Sequence, residues 1–283
     1  MIRADMLELL TIRLSMPRPE NTLSYQYINV NCENHITRIT LNRPEVMNAL
    51  HADMHDELES AFNEFAGDEQ QYLCVIDGAG DKAFCAGSDL KSITAQGRHA
   101  GYPEHGYAGL IERFDLNKPV IAAVDGFALG GGFEIALACD LIVATQRSSF
   151  GLPEPLVGAV ALGGGVHRLA RQIGLKQAMS LVLSAERVSA TEGYRMGFVT
   201  QVVGNEDLDT AVSQWCDKIL AGAPLAIQAS KEAMHRGLDE NSLAQAMLAQ
   251  ENYPTFYRWQ RSDDAKEGPK AFAEKRKPQW SGK

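Results

Sequence analysis

Residues 118–154 constrain this chain more than any other stretch. Lys118 to Val124 (KPVIAAV) is apolar and rich in β-branched residues, and Asp125-Gly126 closes it. Three consecutive glycines, Gly130, Gly131 and Gly132, then lead into the alanine-rich run Phe133 to Cys139. The pattern predicts a buried strand, a tight turn and a helix. Such a turn leaves backbone N–H groups free at a helix start, where the helix dipole favours negative charge. That is equipment for an oxyanion. Glu134 falls in the first helical turn, and Glu154 follows in Phe150-Gly-Leu-Pro-Glu154. Donors for an oxyanion together with two carboxylates point to proton chemistry beside a carbonyl. The bland alternative is close packing at the glycines and dipole compensation at Glu134. Phosphate cradling is disfavoured, because neither Lys-Ser nor Lys-Thr follows the glycines and the G-x-G-x-x-G spacing is absent.

The rest of the chain alternates between strands and helices. Tyr25 to Val30 and His35 to Leu41 read as a hairpin with Cys32-Glu-Asn-His as its turn. His51 to Phe65 carries Met54, Leu58, Phe62 and Phe65 at helical spacing, with Asp53, Asp56, Glu57 and Glu59 on a face read as solvated. Tyr72 to Ile76 is the next strand. Ala83 to Lys91 (AFCAGSDLK) repeats the strand, glycine and helix-start logic. From Gln96 to Asp115 periodicity disappears, which marks a functional or mobile loop, and His99 and His105 within it read as exposed residues, not ligands.

Gly163 to Gly165 is another turn into a helix, Ser189-Ala-Thr-Glu192 is a capping box, and Gly197 stops the helix that follows. Val199 to Val203 is the last strand. After Glu206 the pattern is helical: Leu208, Ala211, Val212, Trp215 and Ile219 form a stripe, Pro224 opens a second helix and Gly237 closes it. This is an α/β core followed by a helical piece. The organisation expected is a poorly ordered leader over 1–24, a core over 25–205 and a helical oligomerisation region over 206–283.

Charge and cysteines exclude some classes. The net charge of −9 gives wholesale binding to nucleic acid or acidic membranes no electrostatic support. No Lys or Arg occurs between His51 and Phe65, so that helix cannot neutralise RNA phosphates. Cys32, Cys74, Cys85, Cys139 and Cys216 are odd in number and show no C-x-x-C spacing, which reads as reduced thiols in a reducing compartment. No apolar run is long enough to span a membrane.

Five motifs in order carry a resemblance: Leu41-Asn-Arg-Pro to Leu50, Ala83 to Lys91, Ala128-Leu-Gly-Gly-Gly-Phe-Glu134, Phe150 to Glu154, and Ala271-Phe-Ala-Glu-Lys-Arg-Lys277. On these the chain resembles the enoyl-CoA hydratase (crotonase) family from about residue 25 to its end. The resemblance implies a spiral of β-β-α units with C-terminal helices that pack homotrimers, often paired into homohexamers. It implies an acyl-CoA substrate, with coenzyme A part of that substrate and no permanently bound cofactor or metal.

By position, the backbone N–H groups of Ser88 and Gly131 would form the oxyanion hole. Ser88, Asp89, Leu90 and Lys91 would line the coenzyme pocket, and Phe272 and Lys275 would reach the adenine or its phosphate, sometimes from a neighbouring subunit. Glu134 and Glu154 match the two hydratase glutamates, which other branches of the superfamily usually replace. A cytoplasmic enzyme is expected, or a mitochondrial-matrix one in a eukaryote. Ser88 stands for a frequent alanine, Leu152 for the glutamine of Gln-Pro-Glu, and Ala161 for a proline. Leu152-Pro-Glu-Pro and Ala-Cys-Asp140 look closer to carnitinyl-CoA dehydratase-like members. Double-bond isomerase and acyl-CoA-binding scaffold remain as alternative readings.

Overall fold

The computed structural model describes residues 25–91 and 101–283, so the leader 1–24 and His99 lie outside the described residues. A six-stranded sheet runs in the order β1 (Ile28–Glu33), β2 (Ile36–Leu41), β3 (Leu73–Gly78), β5 (Val120–Val124), β7 (Leu141–Thr145) and β10 (Gln201–Val203). Only the β1–β2 pair is antiparallel. Its turn is Asn34-His35, both in the left-handed region at φ 50° and 68°. The hairpin is therefore a two-residue one, and the four-residue turn read from Cys32 to His35 is corrected. Positive φ at both central residues matches the strands' right-handed twist.

A second sheet has the order β4 (Ala83–Cys85), β6 (Phe127–Leu129), β8 (Ser149–Gly151) and β9 (Val188–Ser189). After the β1–β2 hairpin, the successive strand pairs from β3 to β8 place one strand in the large sheet and the next in the small one. The β5–β6 pair leads to a helix, α2 (Gly131–Ala138), and the β7–β8 pair to α3 (Gly165–Ile173). The earlier helix α1 (Ala52–Gly67) lies between β2 and β3 in the chain. At the β5–β6 corner Gly126 has φ +76°, and a Cβ there would stand 2.1 Å from the Lys82 carbonyl oxygen. Only glycine fits.

The main core lies among α1, α2 and the two sheets, with Phe62, Phe65, Phe84, Phe133 and Phe150 fully buried. The helices α4 (Leu175–Ser184) and α5 (Ala190–Met196) continue the chain to β10. Next, α6 (Leu208–Leu220) lays Ala211, Val212 and Cys216 on Leu73, Val75, Ile121, Ala123 and Val143. Strands β3 and β5 are thus covered on both faces, which is why they read as continuous apolar runs and not alternating ones. The α6 residues and their strand partners form a second buried cluster on the far face of the large sheet. Beyond α6, α7 (Pro224–Gly237), α8 (Leu243–Ala249), α9 (Pro254–Arg261) and α10 (Asp264–Ala273) complete the helical region.

Candidate active site

The loop after β4 is clamped to Leu50, two residues before α1. Leu50 N–H donates to the Gly87 carbonyl and Asp89 N–H to the Leu50 carbonyl, both at 2.8 Å. In this parallel bridge Ser88 is the intervening residue, so its own N–H points away from Leu50. Gly87, at φ +92°, has no room for a side chain: a Cβ would lie 2.9 Å from the Leu129 carbonyl oxygen and 3.1 Å from Gly131 N. The Ser88 and Gly131 peptides are thereby brought side by side.

Gly131 is the first residue of α2, where N–H groups have no intrahelical acceptor. Among the described residues neither the Ser88 nor the Gly131 N–H donates to a backbone carbonyl. The preceding Gly130 has φ 55° and ψ −127°, and its N–H is held by the Gly151 carbonyl at 2.9 Å. This is a left-handed corner that turns β6 into α2.

Glu154 lies against that corner, and its charge reaches Glu134 in the first turn of α2. Glu134 is only 4% exposed. Its Oε1 accepts from Gly165 N–H at 2.9 Å, and side chains at Gly163 or Gly165 would stand 2.4 and 2.9 Å from its carboxylate oxygens. Burial pushes its pKa up to about 7, and the Glu154 charge adds to the rise. The N–H groups of Gly165 and Gly163 and the Arg168 cation pull the other way. Glu154 opens a short 3₁₀ turn, Glu154–Val157, on the other side of Gly130. Its Oε1 lies 3.1 Å from where a Gly130 Cβ would be. Its Oε2 is buried without a hydrogen-bond partner among the described residues, and burial raises its pKa too. A buried carboxylate oxygen left open, next to free N–H donors, is a place built to take a polar ligand.

Of the remaining sequence-marked residues, Asp89 pairs with Arg43 at 3.2 Å, while Leu90 and Lys91 lie exposed beside Ser88. Phe272 and Lys275 lie outside the cluster. Phe272 is 86% exposed on α10, which packs against α9, and Lys275 follows that helix in a left-handed conformation at φ 54°.

Two sequence readings are corrected. His105 is not an exposed loop residue: its Nδ1 is 2.6 Å from Glu59 Oε1, and its side chain is 19% exposed. Nor is the acidic face of α1 wholly solvated. Glu59 also meets Arg113, and Glu57 accepts from the N–H groups of Gln26 and Tyr27. The fold further brings Glu104 beside Glu59 and His105, with ligand atoms within 4.8 Å of one another. That spacing was not visible along the chain, and Arg113 already supplies positive charge there. Sequence reasoning also missed Tyr107, whose ring packs on Gly131, and Arg168, whose guanidinium bonds the Ile111 carbonyl at 2.6 Å. The only signals were Tyr107's place in the aperiodic loop and Arg168's place just after the Gly163–Gly165 turn.

Two sheets interleaved along the chain, with helices after the β5–β6 and β7–β8 pairs, define a crotonase-type fold. The enoyl-CoA hydratase/isomerase family model matches residues 31–283. The chain belongs to the enoyl-CoA hydratase/isomerase family. Carnitinyl-CoA dehydratase of Proteus mirabilis (strain HI4320) is 39% identical over 261 residues, covering 91% of this chain and 99% of that protein. Among solved structures, enoyl-CoA hydratase from Mycobacterium tuberculosis H37Rv superposes with a TM-score of 0.85 at 37% identity, covering 92% of this chain and 100% of that one. Carnitinyl-CoA hydratase from Mycobacterium avium does so with a TM-score of 0.71 at 38% identity, with the same coverages.

Proposed function

We propose that the chain is an enoyl-CoA hydratase, a hydro-lyase that reversibly adds water across the 2,3 double bond of a 2-enoyl-CoA thioester. The observation that carries this reading is an interacting pair of carboxyls with raised pKa, Glu134 buried against Gly163 and Gly165 and Glu154 half-buried beside Gly130, near two N–H groups that have no backbone acceptor among the described residues. Addition of water needs one group to take a proton from water and another to give a proton to C2. Its pKa of about 7 puts Glu134 where either protonation state is reachable near neutrality, and burial moves Glu154 in the same direction.

In this reading the thioester oxygen accepts hydrogen bonds from the Ser88 and Gly131 N–H groups. The Glu134 carboxylate holds the water, whose oxygen bonds to C3 while its proton passes to Glu134. Electrons of the double bond move to the thioester oxygen as an enolate, which the two donors stabilise. The protonated Glu154 then delivers its proton to C2, the enolate collapses to the thioester, and proton exchange between the carboxyls and solvent resets the site.

Ser88, Asp89, Leu90 and Lys91 would line the coenzyme pocket, with Phe272 and Lys275 reaching its adenine end. Coenzyme A arrives as part of the substrate. The acyl group of a carnitinyl-CoA dehydratase is a second reading, supported by the 39% identity to the Proteus protein and by Leu152-Pro-Glu. A homotrimer or homohexamer built on the helical region, in the cytoplasm, completes the proposal. Five unpaired cysteines, four of them buried, support a reducing compartment.

The test is a panel of crotonyl-, long-chain, cinnamoyl- and crotonobetainyl-CoA, followed by loss of the conjugated thioester absorbance. Glu134→Gln and Glu154→Gln should each lose about 10²–10⁴-fold in kcat. The double variant should lose far less than the product of the two, because residues that act as one unit are non-additive. Near-normal hydration in Glu134→Gln with none in Glu154→Gln would replace this reading by one-base isomerase chemistry.

A further inference from the structure

We propose that the Tyr107 hydroxyl is a third hydrogen-bond donor to the substrate's thioester oxygen, beside the N–H groups of Ser88 and Gly131; this rests on the enoyl-thioester reading above. The phenol lies across Gly131 so closely that a Cβ there would come within 2.4 Å of its oxygen. The same oxygen is 3.3 Å from Ser88 Oγ. One hydroxyl therefore adjoins both residues whose N–H groups would face the reacting carbonyl.

Proton counting shows what that hydroxyl has left to give. Two hydroxyls carry two protons, and their mutual hydrogen bond uses one whichever donates. Among the described residues no acceptor takes the other. Tyr107 is only 3% exposed, so bulk water does not supply one. A buried donor is normally paired, and an unpaired one at the lip of a site is a place for a ligand acceptor. Ser88 Oγ donates to the Tyr107 oxygen, so the spare proton is the phenol's own.

The ring is held from behind. It packs edge-on against His55 with centroids 4.5 Å apart, and the next residue's N–H donates to His55 Nδ1 at 3.0 Å. Gly109, at φ +59°, seats on the Glu59 backbone of α1, and Arg113 Nε holds its carbonyl at 2.7 Å. The donor is thus fixed before substrate arrives, which is the condition for electrostatic catalysis. Burial holds the phenol's pKa well above its usual value, so it keeps its proton throughout the working range.

The experiment binds butanoyl-CoA, labelled with ¹³C at the thioester carbonyl, and reads the carbonyl stretch by infrared difference spectroscopy. In the wild type the stretch should lie below its value in water. In Tyr107→Phe it should move part of the way back, and kcat on crotonyl-CoA should fall about 10- to 100-fold with KM changing less than about threefold. A merely structural tyrosine would not move the stretch. Placing 3-fluorotyrosine at 107, a stronger donor of nearly the same shape, should lower the stretch further; no movement or an upward one would overturn the inference. If the wild type binds without a shift, or does not bind, the enoyl-thioester reading itself fails. If the wild type shifts and Tyr107→Phe shifts equally, the inference alone fails.

Discussion

Replacing Glu134 by glutamine should make the free protein more stable, in a way that depends on pH. The carboxyl sits at 4% exposure against Gly163 and Gly165, and burial is the main cause of its rise from 4.5 to about 7. A carboxyl whose pKa is higher in the folded state favours folding when protonated. Its contribution is therefore fully present below about pH 4.5, where both states hold the proton, and is lost as pH rises through about 7. At about 1.4 kcal/mol for each tenfold change in proton affinity, the deficit above that range is about 3 kcal/mol.

Glutamine keeps an acceptor for the Gly165 N–H and carries no charge. Glu134→Gln should then exceed the wild type by about 3 kcal/mol at pH 8 and by under about 1 kcal/mol at pH 5. Urea unfolding followed by tryptophan fluorescence and circular dichroism, at one protein concentration throughout, measures both. Equal stabilities at pH 8, or a gap that does not change with pH, would refute the reasoning. The same variant is expected to lose hydration, so the site would exchange stability for function at one carboxyl.

Other perturbations test the frame around the site. Gly132→Ala would put a Cβ 2.1 Å from the Cys85 carbonyl oxygen, so α2 would have to shift off β4; the variant should unfold at least about 3 kcal/mol more easily, or not fold, by denaturant titration. Ser189→Ala removes the side chain that accepts from Glu192 N–H at 3.2 Å and caps α5, and should cost about 1 kcal/mol in the same assay with hydration kept. Leu175, Leu183, Leu238, Leu243 and Leu248 are each 60% exposed or more. Light scattering at micromolar concentration should therefore report a trimer or hexamer, and a monomer would count against that assembly.

Much of the fold was legible wherever one local pattern decided the outcome. The Ser189 N-cap forms as read, although the Glu192 carboxylate turns to Arg195 and leaves the other half of the capping box unmade among the described residues; Gly197 ends its helix at φ 102°, and Pro224 and Gly237 bound α7. Helix α1 is misplaced by a residue or two only, because Met54, Leu58, Phe62 and Phe65 are all buried at the expected spacing. The hairpin turn was misread because Asn34 and His35 adopt left-handed conformations without a glycine to announce them. The loop before β5 was opaque for a different reason. Its order comes from Glu59, His55 and Asn63 on α1, some fifty residues away along the chain. No periodicity records such pairings, so Tyr107 and His105 looked like loop filler.

The glycines of 163–165 show the same limit from the other side. As a sequence they read as a turn into a helix, which they are. In the structure their missing side chains are also the wall of the Glu134 pocket, since a methyl group at Gly163 would overlap a carboxylate oxygen. Close backbone approach does two opposed things to that carboxyl. It excludes water, which raises the pKa, and it aims N–H groups at the oxygens, which lowers it. Desolvation wins, and the net result is a carboxyl poised near neutrality. The turn chemistry that shapes α3 and the acid–base chemistry expected of Glu134 are thus one packing arrangement. A substitution at Gly163 or Gly165 should be judged by the titration of Glu134 as much as by the stability of the helix.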